Sequence, residues 1–426
     1  NPVYDNTFVV NGKQLYEYKL PNPYTINTAG SYPIRVIANN PTPDGCSGEQ
    51  QIDYTLQVFD PPVADFSYAP VCFPNPVQFT ENNTTGGRPV ISRYWNFGDA
   101  AIVNTSNPSH AYAAPGTYNV RYALITDVGC LSDTTSHPVT ISPLPVASIS
   151  GTTVVCQNST APQITFTGSI GTAPYTFTYT INGGAPQTVT STGNTATVAA
   201  PTAVPGTFTY SLVSVQDASP ASCSQPQTGS AIVTVNPLPT ATISGSTTVC
   251  ENATSPFITF TGAVGSAPYT FSYSINGGPA LTVTTTSGNT VTVPAPTGTP
   301  GTFIYTLLNV TDGSSTACTQ NQSGSATITI NPLPTAAISG TTEQCENGTG
   351  PVVTFTGAVG TAPYTFYYRI NGGPLLNVTG TGSTATVTAS TNIPGTYVYT
   401  LVSVTDASST TCSNLQTGSV TIIIHP

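Results

Sequence analysis

The sequence repeats itself. Pro143-Leu144-Pro145, Pro237-Leu238-Pro239 and Pro332-Leu333-Pro334 recur every 94 to 95 residues. Each leads into an Ile-Ser-Gly, at 149–151, 243–245 and 338–340. A Cys and an acidic or amide pair follow: Cys156-Gln157-Asn158, Cys250-Glu251-Asn252 and Cys345-Glu346-Asn347. Next comes Ile164-Thr165-Phe166-Thr167-Gly168, with copies at 258–262 and 353–357. A period of this length marks a linear array in which each unit is a module touching its neighbours.

Within a module the pattern is that of strands. Tyr175, Phe177, Tyr179 and Ile181 alternate with threonine, so one face is aromatic and the other polar. This is the period of a half-buried strand. Asn182-Gly183-Gly184 then supplies a tight hairpin turn. The strict alternation assigns these aromatics to a core rather than to an exposed glycan-stacking platform. A second strand follows each Pro-Gly-Thr: Phe208, Tyr210, Leu212; Phe303, Tyr305, Leu307; Tyr397, Tyr399, Leu401. Each module closes on a Val/Ile/Thr strand such as Ala326 to Ile330. About seven short strands per period predict an all-β immunoglobulin-like sandwich. The stiff Pro-Leu-Pro junctions predict that the array forms an elongated rod.

Residues 61–143 differ from the repeats. They carry Tyr94-Trp95-Asn96-Phe97-Gly98-Asp99, His110-Ala111-Tyr112 and Gly116-Thr117-Tyr118-Asn119-Val120. This segment resembles the PKD (polycystic kidney disease) domain, whose hallmark is Trp-x-Phe-Gly-Asp followed by His-x-Tyr and Gly-Thr-Tyr-x-Val. It departs from that pattern at Ala100, where the family mostly has Gly. The resemblance implies an immunoglobulin-like sandwich of extracellular proteins. The 94-residue modules resemble the PKD-like repeats of large Bacteroidota cell-surface proteins, including those linked to gliding motility and type IX secretion. That resemblance implies a protein that adheres to, coats or extends from a cell. The expected domains are 61–143 (PKD), 144–237, 238–332 and 333–426 (three repeats), preceded by 1–60.

Eight of the nine cysteines fall in pairs, one pair per module. Their matching placement predicts the disulfides Cys72–Cys130, Cys156–Cys223, Cys250–Cys318 and Cys345–Cys412, and hence an oxidising, extracellular compartment. Zinc is the rival reading. It lacks a Cys-x-x-Cys and nearby histidines. Cys46 is left without a partner within the chain. Its surroundings align with the end of the PKD module: Gly30-Ser31-Tyr32 matches Gly116-Thr117-Tyr118, and Gly45-Cys46 matches Gly129-Cys130. Residues 1–60 are therefore expected to be an incomplete module. Its first strands are expected either upstream of Asn1, in a longer array, or donated by another subunit through strand addition.

No catalytic constellation emerges. His110, His137 and His425 do not recur in the repeats, and the repeats hold no pair of carboxylates suited to glycoside hydrolysis. Asp217, Asp312 and Asp406 do recur. One carboxylate per site is too few for a calcium cage, so a turn-capping role is expected. No cofactor or metal is expected, and the net charge of −10 argues against nucleic acid. No apolar run is long enough to span a bilayer as a helix. Thr134, in Asp133-Thr134-Thr135, resembles an O-glycosylation motif of Bacteroidota. The sequence thus points to a non-enzymatic stalk or filament subunit on a bacterial surface. Neighbouring modules are its first partners, and glycans or other cells are met through a separate tip. The alternative is the spacer or binding region of a secreted polysaccharide- or protein-degrading enzyme.

Overall fold

A computed structural model describes residues 2–39, 49–340 and 342–426. Every regular element among them is a β-strand. By contacts the chain separates into two compact units: residues 1–150, 165–198 and 210–230, and residues 151–164, 199–209 and 231–426.

The second unit contains the repeats 238–332 and 333–426 whole. In the first of these, Thr240–Ser244, Phe257–Ala263 and Thr290–Pro294 form a three-stranded sheet in that order. The facing sheet runs Thr247–Cys250, Ser325–Asn331, Gly301–Thr311, Thr270–Ile275, Leu281–Thr284. The short strand Thr319–Asn321 pairs with the end of Gly301–Thr311. Pairing is antiparallel except where Thr247–Cys250 runs parallel to Ser325–Asn331. The repeat 333–426 has the same order. Ile-Ser-Gly is the point where the chain leaves one sheet for the other. Gly245 holds φ +116, and a Cβ there would sit 2.4 Å from the Phe257 carbonyl oxygen.

Most of the predicted core positions are core, while Ile275 and Phe303 are partly buried and pack against it. Tyr269, Phe271 and Tyr273 are buried with Phe260, Tyr305, Leu307, Ile328 and Ile330. Residues 364–368 repeat the arrangement with Tyr364, Phe366 and Tyr368. The hairpin turn also forms as expected, with Asn276 and Gly277 both at positive φ.

In the first unit, residues 61–143 build two sheets. Ser109–His110, Val77–Glu81 and Phe66–Tyr68 form one. Val71–Cys72, Thr135–Ser142, Gly116–Thr126, Val90–Asn96 and Ile102–Val103 form the other. Trp95 is fully buried, stacked on Tyr122 at 4.0 Å and edge-on to Phe66 at 5.2 Å. Ala100 keeps the left-handed backbone that glycine would adopt freely, with φ 75.

The described residues before 61 form two antiparallel strand pairs. Val3–Val10 pairs with Lys13–Lys19, and Gly30–Asn39 with Glu49–Val58. Each is a two-stranded sheet among the described residues. Cys46 lies outside the described residues.

Candidate functional site at the module junctions

Each module carries a cysteine at either end of its longest strand. In 238–332, Cys250 lies beside Asn331 in the parallel pair, and the adjoining Ile330 faces Gly301, the start of Gly301–Thr311. Cys318 immediately precedes Thr319, which faces Thr311, the end of that strand. Eleven residues of antiparallel strand span roughly 35 Å at ~3.4 Å per residue. A disulfide needs Cα atoms within about 7 Å. The two cysteines of one module therefore cannot meet.

The within-module pairs expected from the sequence, Cys72–Cys130, Cys156–Cys223, Cys250–Cys318 and Cys345–Cys412, are not formed. The bonds instead join Cys72 to Cys223, Cys156 to Cys318 and Cys250 to Cys412. In each, the first cysteine of one module is bonded to the second cysteine of the next, with Cα atoms 5.6 Å apart. Cys130 and Cys345 are free thiols.

The loop that delivers the second cysteine is built around the recurring aspartate. Asp312 is 4 % exposed. Its Oδ1 accepts hydrogen bonds from the Ser314 hydroxyl at 2.6 Å and the Cys318 amide at 2.9 Å, and its Oδ2 accepts one from the Ser266 amide at 3.2 Å. Asp406 does the same for Ser408, Cys412 and Thr361, and Asp217 for Ser219, Cys223 and Thr172. These bonds satisfy the buried carboxyl oxygens. The expected turn-capping role is thus the visible part of a larger one: the aspartate fixes the cysteine six residues later.

Polar contacts line the linkers. Asn331 donates to the Thr410 hydroxyl at 2.9 Å, and that hydroxyl lies 3.3 Å from Cys250 Sγ. The Leu333 amide donates to Glu251 at 3.3 Å, which gives the residue after the cysteine a role in holding the Pro-Leu-Pro segment. The Ala336 amide donates to Gln416 Oε1 at 3.0 Å, and Ala241 and Ala147 donate likewise to Gln322 and Gln227. Asn236 and Thr316 repeat the Asn–Thr contact beside Cys156. At the first junction Ser142 and Ala221 stand in those places and the contact is absent.

The other candidates resolve as structure. His110 Nε2 lies 2.7 Å from Asp99 Oδ2, and its ring stacks on Phe97 at 4.1 Å. Burial works to raise the Asp99 carboxyl. Hydrogen bonds from His110 and the Ala101 amide outweigh it, and the group sits below its ordinary value. His137 pairs with Asp65 at 2.8 Å and His425 with Glu343 at 3.0 Å. Thr134 is exposed in the connection leading into Thr135–Ser142. Among the described residues no cluster of His, Cys, Asp and Glu is placed to hold a metal ion.

Fold and junctions together define a class: a tandem array of immunoglobulin-like sandwiches stapled module to module by disulfides, a chemistry of oxidising compartments. Residues 59–141 match the PKD domain family. A microbial collagenase of Vibrio alginolyticus is 35 % identical over 65 residues, 15 % of this chain and 8 % of that protein. The match thus spans under a tenth of the collagenase. Among solved structures, one described as concerning host cell surface retention of a 1.5-MDa bacterial ice-binding adhesin aligns over 66 % of this chain and 98 % of its own, at 18 % identity and TM-score 0.33. A tetra-tandem repeat from the extending region of a large adhesion protein aligns over 84 % and 99 %, at 13 % identity and TM-score 0.28.

Proposed function

We propose that this chain is a load-bearing extracellular spacer, a stalk or filament segment on a bacterial surface with no catalysis of its own. The carrying observation is the order of the staples. A pull applied across Cys72 and Cys412 passes through the Cys72–Cys223 bond, along residues 224–250, and through the Cys250–Cys412 bond. Those residues are already largely strand: Ser224–Pro226, Ser230–Asn236, Thr240–Ser244 and Thr247–Cys250. At ~3.4 Å per residue their full extension is about 90 Å. The shortest covalent route from Cys72 to Cys412 is thus these 27 residues and two disulfides, whatever the modules around it do. The sparsely charged, hydroxyl-rich character of residues 144–426 fits a spacer, as does the resemblance to gliding- and type IX secretion-associated surface proteins. Recognition of glycans or other cells then falls to a separate tip.

Single-molecule pulling tests this. The oxidised protein should yield no unfolding steps from residues 73–411. After reduction the same region should unfold module by module and release roughly 1,100 Å of chain at ~3.4 Å per residue. Identical traces before and after reduction would overturn the proposal. The collagenase match favours a second reading, a spacer within a secreted degradative enzyme. A catalytic domain in the full-length gene product would decide for it.

A further inference from the structure

Each 94-residue repeat carries an Asn-x-Thr two residues after its first cysteine: Asn158-Ser159-Thr160, Asn252-Ala253-Thr254 and Asn347-Gly348-Thr349. The middle residue changes in every copy and the outer two do not. Asn-x-Ser/Thr, with any x but proline, is the acceptor sequence for N-linked glycans. The PKD module has Asn75-Pro76-Val77 near the corresponding place, which proline and valine disqualify.

The fold accounts for the backbone of this turn but for only one of its two recurring side chains. Asn158, Asn252 and Asn347 hold φ 61, 58 and 53, the left-handed region that asparagine enters more readily than most residues. The Ala253 amide closes the turn on the Cys250 carbonyl at 3.1 Å. Buried Thr297 grips the turn from beneath: its carbonyl accepts the Asn252 amide at 3.0 Å, and its hydroxyl donates to the Ala253 carbonyl at 2.6 Å. Thr202 and Thr391 hold the other two copies in the same way. Asn158, Asn252, Asn347, Thr160, Thr254 and Thr349 are all exposed. Among the described residues, none of their side-chain amides and hydroxyls has a hydrogen bond. A left-handed turn calls for the asparagine; nothing in the turn calls for the threonine. Two further Asn-x-Thr sequences are closed off. Asn83 donates its amide to Glu81 and to Tyr122, both at 3.0 Å, and Asn309 is partly buried in mid-strand between Ser272 and Asn321.

We propose that these three turns are N-glycosylation sites, one near the start of each repeat, and that the folded turn is the acceptor. The donor is a lipid diphosphate-linked oligosaccharide, carried by an oligosaccharyl transferase. The asparagine Nδ2 bonds to the sugar C1 and the C1–O bond to the diphosphate breaks. The lipid diphosphate leaves with the electron pair, and the amide gives up one proton to the transferase. Residues 144–426 hold one arginine and six acids, so their hydration rests on neutral polar groups, which such glycans extend without adding charge. The sugars do not depend on which cysteines are joined, so this proposal and the load-bearing reading can fail separately.

The test is mass spectrometry of glycopeptides from the full protein isolated from its own cells, with electron-transfer fragmentation to localise the sugar. Sugar mass is expected on Asn158, Asn252 and Asn347, with Asn83 and Asn309 bare. Thr254→Ala keeps the left-handed asparagine and removes no hydrogen bond, so the fold is retained; it should abolish the sugar on Asn252 and leave Asn158 and Asn347 modified. Thr254→Ser should restore it. Bare asparagines at all three turns, sugar on Thr160, Thr254 and Thr349 in their place, modification of Asn83 or Asn309 instead, or sugar persisting on Asn252 in Thr254→Ala would each overturn the proposal.

Discussion

Tyr269 lies so close over the backbone at Gly262 that a Cβ there would sit 2.5 Å from its ring, and Gly168 under Tyr175 and Gly357 under Tyr364 repeat the contact at 2.5 Å. The terminal glycine of Ile-Thr-Phe-Thr-Gly is thus the bed of the module's first core aromatic. Gly262→Ala forces the ring or the strand to move, at a cost of about 1–3 kcal/mol. Native-state exchange across Phe257–Ala263 in the full chain should register that loss, and no change would contradict the packing described. Tyr122 supplies a pH-dependent test. Burial raises its phenol most, a hydrogen bond from Asn83 lowers it in part, and the result is about 12. A group raised above its unfolded value of ~10 contributes stability fully below pH ~10. That contribution is lost as pH climbs through about 12. Trp95 is the chain's single tryptophan and stacks on Tyr122. Urea unfolding followed by its fluorescence should therefore show stability falling between about pH 10 and 12. Tyr122→Phe should flatten that fall by roughly 1.4 kcal/mol per pH unit.

At the scale of strands, the sequence revealed what alternation can carry. Tyr269, Phe271 and Tyr273 were legible as one buried face, Asn276-Gly277-Gly278 as a turn, and Trp95 as the core of a distinct module. Cysteine pairing was not legible in the same way. Cysteines 67 or 68 residues apart within a repeat and cysteines 162 apart across repeats recur with equal regularity. What separates the two pairings is which end of Gly301–Thr311 each cysteine occupies. That depends on the sheet switch at Gly245, which sends Thr247–Cys250 parallel to the last strand. Parallel pairing between non-consecutive strands leaves no local pattern. Asp312, six residues ahead of Cys318, was readable as a turn cap, but its hold on the cysteine amide is a property of the folded loop.

For the whole molecule the staples overlap. Residues 156–223 lie inside both the Cys72–Cys223 and Cys156–Cys318 loops, and residues 250–318 inside both Cys156–Cys318 and Cys250–Cys412. Closing loops of 151 and 162 residues removes chain entropy worth about 5 kcal/mol each in the loop-closure account. The larger consequence is mechanical, because no module between Cys72 and Cys412 can lengthen the covalent path by unfolding. Everything in this reading depends on which cysteines are joined. Proteolysis under non-reducing conditions, followed by mass spectrometry of the linked peptides, measures that directly. The structure predicts linked peptides containing Cys72 with Cys223, Cys156 with Cys318 and Cys250 with Cys412. Recovery of Cys156 with Cys223 and Cys250 with Cys318 would contradict it.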